Sequence, residues 1–274
     1  MTPPGRLVTL VAAVKPFYFG RSERPLFGVL HTPIVRAGRR GAVVVCPPVG
    51  VEYLRAHRAL RELAHRLTSD GWHVLRFDYH GTGDSGGSAE DATVEQWLQD
   101  VGYAFDEAKE ASEGGTLAAV GVRLGATLAA VASGTRRDVD ALVLWDPVVA
   151  GRDHIAELAE RHRAFILARS PPRGYEPADP PSEVLGTPLT TTLRSGLEAL
   201  DLRTDCAAPP ARVAVISSAS DPEAAAIGRH LEERGARVDF QSRPGPRIWL
   251  RQDELERAQV PQATLGAIAA WLSA

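Results

Sequence analysis

The stretch 117–130, Leu-Ala-Ala-Val-Gly121-Val122-Arg123-Leu124-Gly125-Ala-Thr-Leu-Ala-Ala, constrains this chain more than any other. An apolar run of strand type passes directly into an apolar run of helix type through G-x-R-x-G. Two glycines at that spacing permit a tight, strained turn that pushes the central side chain out above a sheet. The backbone N–H of the next residue, Leu124, is then available to an oxyanion. Two readings of Arg123 are open at this point. It is either a solvated side chain at an ordinary strand–helix junction or a charged group presented at a binding crevice.

The rest of the chain supplies the context. Residues 7–14 and 25–31 read as an antiparallel hairpin around a turn at 20–23. Residues 41–46, GAVVVC, are apolar on both faces, the mark of a strand inside a parallel sheet. After a loop at 47–53, residues 54–69 carry Leu60, Leu63, Ala64 and Leu67 at helical spacing, and Gly71 ends that helix. Strand 73–77, a glycine-rich turn 78–88, helix 94–110, strand 116–120, helix 122–133 and strand 141–144 follow. This alternation implies a parallel sheet with right-handed crossovers. Residues 147–210 interrupt it: 169–188 is rich in proline and glycine and aperiodic, with helical flanks at 152–167 and 189–200. Alternation resumes with strand 212–217, helix 222–234, strand 237–241 and helix 262–271. The expected fold is α/β: a mostly parallel twisted sheet with helices on both faces and a cap inserted before the last two strands. Residues 1–146 and 211–274 form the expected core, and 147–210 the cap.

Charge and composition exclude several roles. The 31 basic and 34 acidic residues give a net charge of −3 without blocks of one sign, so nucleic-acid or membrane-surface binding has no electrostatic support. No apolar run approaches the roughly 18 residues of a membrane span. Residues 1–20 lack the pattern of a signal peptide, and a cytoplasmic location is expected. Cys46 and Cys206 are too few for a disulfide framework or a cysteine metal site, and neither metal nor cofactor is expected. Lys15 and Lys109 are the only lysines, a bias that fits a GC-rich coding sequence. Oligomeric state is left open.

Asp78-Tyr79-His80-Gly81-Thr82-Gly83-Asp84-Ser85 reads D-x-x-G-x-G-x-S, and the G-x-R-x-G elbow follows at a fitting distance. With the strands around them, these motifs resemble the front half of an α/β-hydrolase, and the resemblance spans roughly residues 25–272. The His-Gly loop of that superfamily is altered here to Cys46-Pro47-Pro48-Val49. Within it, the chain is most similar to the exosortase-associated hydrolase-like proteins. Pro48, Glu52, Arg55, Arg58 and the G-x-R-L-G-A elbow at 121–126 carry that similarity. So do Glu95-Gln-Trp97-Leu-Gln-Asp100 and Leu144-Trp-Asp-Pro-Val-Val149. Nothing connects the chain to exosortase itself.

The resemblance implies a nucleophile, a base and an orienting acid. Asp221 and Asp146 match the two places where such an acid occurs. The loop after the last strand, Gln241-Ser-Arg-Pro-Gly-Pro-Arg-Ile-Trp249, holds no histidine, and none lies beyond His230. Serine and histidine of the triad are therefore both missing. A guanidinium stays charged, donates hydrogen bonds and accepts none. Arg123 is thus neither nucleophile nor base, but it can clamp a carboxylate, a phosphate or a developing oxyanion.

Ligands of open α/β sheets sit beyond the carboxyl ends of the strands, where Glu52, His57, Tyr79 and His80 are expected to converge on Arg123. Glu52 or His57 is the candidate general base. The plainer alternatives are that Glu52 neutralises Arg123 or Arg55, that His57 packs or caps its helix, that His80 is structural, and that Asp221 is a former acid paired with Arg123. Val49, Tyr53, Arg55, Leu124 and Asp146 complete the candidate binding set. Asp78 and Ser85 are expected to bond their own loop. Cys46 ends a buried strand, where free cysteine behaves as a small apolar residue.

The expected function is a serine-less hydrolase-fold enzyme acting on an acylated small molecule, by elimination of a carboxylate or by direct attack of water. Fold analogy with enzymes that eliminate acetate from acylated tetronates points to secondary metabolism. The alternative is a pseudo-enzyme that binds a ligand or partner at the former active site. An esterase using Ser217, Ser218 or Ser220 is a third reading, and none of these lies on an elbow.

Overall fold

The computed structural model of the chain describes residues 13–33, 40–169, 181–219, 221–250 and 260–274. Two strands open it, β1 (Ala13–Arg21) and β2 (Arg24–Thr32). Then come β3 (Gly41–Cys46), α1 (Val51–Ser69), β4 (His73–Phe77), α2 (Val94–Ala111), β5 (Thr116–Val122), α3 (Leu124–Gly134) and β6 (Ala141–Trp145). An insert follows, made of α4 (Gly151–Leu167), the two-residue strands β7 (Glu183–Val184) and β8 (Thr187–Pro188), α5 (Thr191–Ala199) and the single turn α6 (Leu202–Asp205). The alternation finishes with β9 (Arg212–Ser217), α7 (Pro222–Glu233), β10 (Arg237–Ser242) and α8 (Gln262–Ser273).

Eight strands form one sheet in the order β1-β2-β4-β3-β5-β6-β9-β10. β1 pairs antiparallel with β2, and β2 with β4; every later pairing is parallel. Successive side chains of a strand face opposite sides, so each central strand feeds two cores. Val43 and Val45 of β3 meet Leu60, Leu63 and Leu67 of α1 and Leu265 and Ile268 of α8. Ala42, Val44 and Cys46 meet Val101 and Phe105 of α2, Leu128 of α3 and the core that continues to Ile227 of α7. Helices thus cover both faces.

The strand order reverses around β3. The crossover from β3 to β4 uses α1 on one face, and that from β4 to β5 uses α2 on the other. The switch point of the strand order consequently falls at the carboxyl ends of β3 and β5, the position where such sheets bind ligands. The loop leading into α1 and the elbow leading into α3 both stand there.

Several boundaries differ from those read in the sequence. The first strand is Ala13–Arg21 rather than 7–14, of which residues 7–12 lie outside the described residues. On this edge strand Val14 and Tyr18 are exposed while Phe17 and Phe19 turn inward, so its apolar pattern carries little signal. α1 begins at Val51 instead of 54, which moves Glu52 and Tyr53 from a loop onto the first helical turn. Its N-cap is Gly50, without a capping side chain, so the usual start signal is missing. The segment 169–188 contains the β7–β8 hairpin, while residues 170–180 lie outside the described residues.

The elbow glycines are required by close approach. A Cβ at Gly125 would lie 2.2 Å from the carbonyl oxygen of Pro47 and 2.4 Å from that of Cys46. Gly102, inside α2, faces open space. We expect Gly125→Ala to lower unfolding free energy by about 2–3 kcal/mol in denaturant titration. Gly102→Ala should raise it by about 0.5–1 kcal/mol. Equal effects would contradict this reading of the elbow.

Candidate active site

Arg123 sits at the turn between β5 and α3 with φ 54° and ψ −125°. Its N–H donates to the Trp145 carbonyl at 3.0 Å, and its own carbonyl accepts from the Ala126 N–H at 3.0 Å. A Cβ at Gly121 would lie 2.3 Å from Ala126 Cα, so the strand and the returning helix touch at this point. Leu124 buries its side chain in the core. As the first residue of α3 it has an N–H with no partner inside the helix.

The Arg123 guanidinium lies in a ring of charges. Its Nε donates to Glu52 Oε2 at 3.4 Å, and Nη2 donates to Glu157 Oε2 at 2.5 Å. His154 Nδ1 is 3.4 Å from the same Nη2. The Trp249 ring faces the guanidinium, 5.2 Å from its centroid to Cζ, a cation–π contact. Arg161 closes the ring: Nη1 donates to Glu52 Oε1 at 2.9 Å and lies 3.5 Å from Glu157 Oε1. Arg55 and Arg161 both donate to the Trp249 carbonyl, at 3.2 and 3.5 Å.

Two guanidinium groups and two carboxylates therefore balance one another. Glu52 is the deepest member, its side chain 1% exposed, and both arginines reach it. Arg123 is 13% exposed and Glu157 40%. Burial works against the charge on Glu157. The neighbouring His154 and the charge of Arg123 prevail and hold its carboxyl down to about 2. For Arg123, burial opposes the charge and the two glutamates favour it, with a net upward shift.

Three members of this ring, His154, Glu157 and Arg161, were not among the residues singled out from the sequence. They share one face of α4 at spacings of three and four residues, the pattern H-x-x-E-x-x-x-R. Trp249 comes from the loop where the superfamily carries its histidine.

The other candidates are distributed differently from the expected single pocket. His57 lies on α1 about 140° around the helix from Glu52 and is not brought to Arg123. Its ring meets Tyr53 at 5.8 Å, and burial with the charge of Arg76 lowers its pKa. Tyr53 donates to Asp78 Oδ1 at 2.6 Å. Asp78 Oδ2 accepts from the Asp84 N–H, and Ser85 donates to the Asp78 carbonyl, so this motif locks its own turn. Tyr79 is buried between Phe77 and Trp97, and its hydroxyl donates to the Pro47 carbonyl at 3.3 Å. It supports the loop before α1 from within the core instead of facing the crevice. His80 is buried as well: its N–H donates to Asp100, and its carbonyl accepts from Trp97 Nε1.

Asp221 is not paired with Arg123, whose carboxylate partners among the described residues are Glu52 and Glu157. Asp221 caps α7 by accepting from the Glu223 N–H at 2.9 Å. Asp146 follows β6 and accepts from the Ser218 N–H at 2.9 Å, while its Oδ2 is buried with no hydrogen-bond partner among the described residues. Burial raises its pKa against the opposing effect of the Ser218 bonds and Arg123. Cys46 is fully buried, which pushes its thiol far up and removes it as a nucleophile. Ser217 and Ser218 are buried beside Asp146, and Ser220 lies outside the described residues.

A cavity of about 250 Å³ opens on the other side of the α1 N-terminus. Val49, Tyr53, Leu54, Trp97, Leu185 and Leu193 contribute to its mostly apolar wall. Arg123 and Glu52 are not in its lining. Among the described residues no group of three or more His, Cys, Asp or Glu is placed to hold a metal ion. No described helix is long and apolar enough to cross a membrane.

The eight-stranded sheet, the insert after β6 and the elbow define an α/β-hydrolase. Residues 38–192 match the family described as serine aminopeptidase, S33 (Hydrolase_4), more than half of the chain, and the chain belongs to that family. At the apex of its elbow stands Arg123. No curated protein matches the chain significantly. Among solved structures, it is similar to Est1E from Butyrivibrio proteoclasticus with ferulic acid bound, at 18% identity and a TM-score of 0.66, covering 93% of this chain and 97% of that one. It is also similar to a thermostable carboxyl esterase from Bacillus coagulans, at 14% identity and a TM-score of 0.66, covering 96% and 98%.

The charge ring predicts unequal roles for its two acids. Glu52→Gln should destabilise the fold by about 3 kcal/mol, because it leaves guanidinium charge uncompensated in a buried setting. Glu157→Gln should cost much less, since that carboxylate is partly solvated. The Glu157 carboxyl is lowered from 4.5 to about 2, so its contribution is present above pH 4.5 and is lost as pH falls toward 2. The stability difference between wild type and Glu157→Gln should therefore shrink across that window in acid titration. A constant difference would contradict the pairing.

Proposed function

We propose that the protein is a serine-less α/β-hydrolase-fold enzyme that acts on an acylated small molecule, with Arg123 holding the anionic end of the substrate. The observation that supports this reading is a guanidinium at the apex of the elbow, beside the N–H end of α3 and beyond the carboxyl ends of β3 and β5. A guanidinium offers no lone pair for attack on a carbonyl, so an acyl-enzyme through residue 123 is ruled out. Elimination of a carboxylate needs no covalent nucleophile. A base removes a proton, the C–O bond breaks, and the departing carboxylate is stabilised by the fixed positive charge.

Glu52 is a poor base, being sealed and bonded by two arginines, and His57 faces elsewhere. His154, 3.4 Å from the guanidinium, takes the role of proton acceptor in this reading. Attack of water on an ester would use the same groups. Ferulic acid in Est1E is a carboxylic acid held by a protein of this fold, which fits a product of that class. A place in secondary metabolism rests on fold analogy and composition.

One observation favours a second reading, a pseudo-hydrolase that binds a ligand or partner without turnover. Arg123 is already neutralised by the protein's own carboxylates.

Incubation with a panel of carboxylate-bearing esters in ¹⁸O-labelled water, followed by mass spectrometry, separates these readings. Elimination releases an unlabelled acid together with an alkene, whereas hydrolysis places ¹⁸O in either the acid or the alcohol. We expect Arg123→Lys to reduce turnover by about 100-fold while the fold is retained, because the two-pronged contact is lost. A fluorophosphonate probe should leave the protein unlabelled. Saturable binding with no product from any ester would favour the pseudo-hydrolase, and fluorophosphonate labelling would contradict both readings.

A further inference from the structure

Arg123 already holds two internal carboxylates, so a ligand anion reaches it by taking the place of one of them. The two are not equivalent. Glu52 is sealed on α1 and receives both guanidinium groups. Glu157 is 40% exposed and belongs to α4, in the insert.

α4 is held unevenly along its length. Its buried residues are Gly151, His154 and Ile155, all in the first two turns; from 156 to 167 none is buried. That outer half is fastened by Leu158, which packs partly buried against the core, and by a set of polar contacts. They are Glu157 to Arg123, Arg161 to Glu52 and the Trp249 carbonyl, and His162 Nδ1 accepting from the Leu185 N–H at 3.0 Å. A segment with few buried apolar contacts and many partly solvated polar ones opens at low free-energy cost.

The charge balance specifies what can replace Glu157. Arg123 and Arg161 carry two positive charges, and Glu52 supplies one negative charge. When Glu157 withdraws, a monoanion restores the charge it carried. A dianion overshoots in a half-buried site, where unbalanced charge is costly. The planar fork of Arg123 matches a planar carboxylate.

We propose that Glu157 is an internal stand-in for the carboxylate of a small monocarboxylate ligand, which binds Arg123 by displacing Glu157 and frees the outer half of α4 from the elbow. This rests on Arg123 being the anion-holding group of the site. The exchange swaps one carboxylate for another, with no covalent step. It also separates His154 from Glu157, which now lies 3.9 Å away.

Calorimetric titration of the full chain with octanoate, and with octanamide as its neutral analogue, tests the exchange. Glu157→Ala changes a partly exposed helical position to the best helix former, so folding is expected to survive. The expected result is octanoate binding about tenfold tighter to Glu157→Ala than to wild type, with octanamide unchanged. Adding Arg123→Met in the Glu157→Ala background should remove the gain. Equal octanoate binding by wild type and Glu157→Ala, no binding by either, or a gain that survives Arg123→Met would overturn the proposal. Arg123-dependent binding that ignores Glu157→Ala overturns the exchange and leaves Arg123 as the clamp. An Arg123-dependent gain without turnover of any ester upholds the exchange and removes the catalytic reading.

Discussion

The backbone at residue 123 is held in the left-handed region from two sides. Gly121 lets β5 touch the returning helix, and Gly125 lets that helix pass under the carbonyls of Cys46 and Pro47. Whatever side chain occupies position 123 is thereby delivered to the crevice beyond β3 and β5. In this chain the delivered group is a guanidinium, and much of the surrounding site can be understood as the consequence of placing a permanent charge there. Glu52 comes from the first turn of α1, Glu157 and Arg161 from the insert, and Trp249 from the last loop. Four separate segments of the chain meet at one charge.

The resulting ring is both a structural joint and the limit on any chemistry. It fastens the outer half of α4 to the core, where Leu158 packs only partly buried. It gives the buried Glu52 carboxylate two guanidinium partners. It also means that the positive charge at the elbow is fully balanced before any ligand arrives. The apolar cavity beside Tyr53 is lined by other residues of the α1 N-terminus and does not include Arg123 or Glu52.

The sheet was legible because buried parallel strands advertise themselves as β-branched runs, such as Gly41–Cys46, and because the elbow glycines have a steric reason to be there. The extent of β1 beyond residue 14 was not legible because an edge strand buries only part of one face. The start of α1 was read late because glycine at the N-cap leaves no signal. For the ring, the pairing of Glu52 with Arg123 was one of the readings the sequence left open. His57, Tyr79 and His80 were assigned to the crevice because strand-end and helix-start residues can face either way, and only the helix azimuth and core packing decide. His154, Glu157 and Arg161 were missed because the insert follows no motif. Their common helical face was visible, but what it faced was not.

A double-mutant cycle between Arg123 and Glu52 tests most directly whether the elbow residue is the centre of this ring. Unfolding free energies of wild type, Arg123→Met, Glu52→Gln and the double variant give the coupling between them. The account predicts a coupling of about 2 kcal/mol, with the double variant more stable than the sum of the single losses implies. A coupling within about 0.3 kcal/mol of zero would mean that the two side chains act independently, and the charge ring could not be what organises the site.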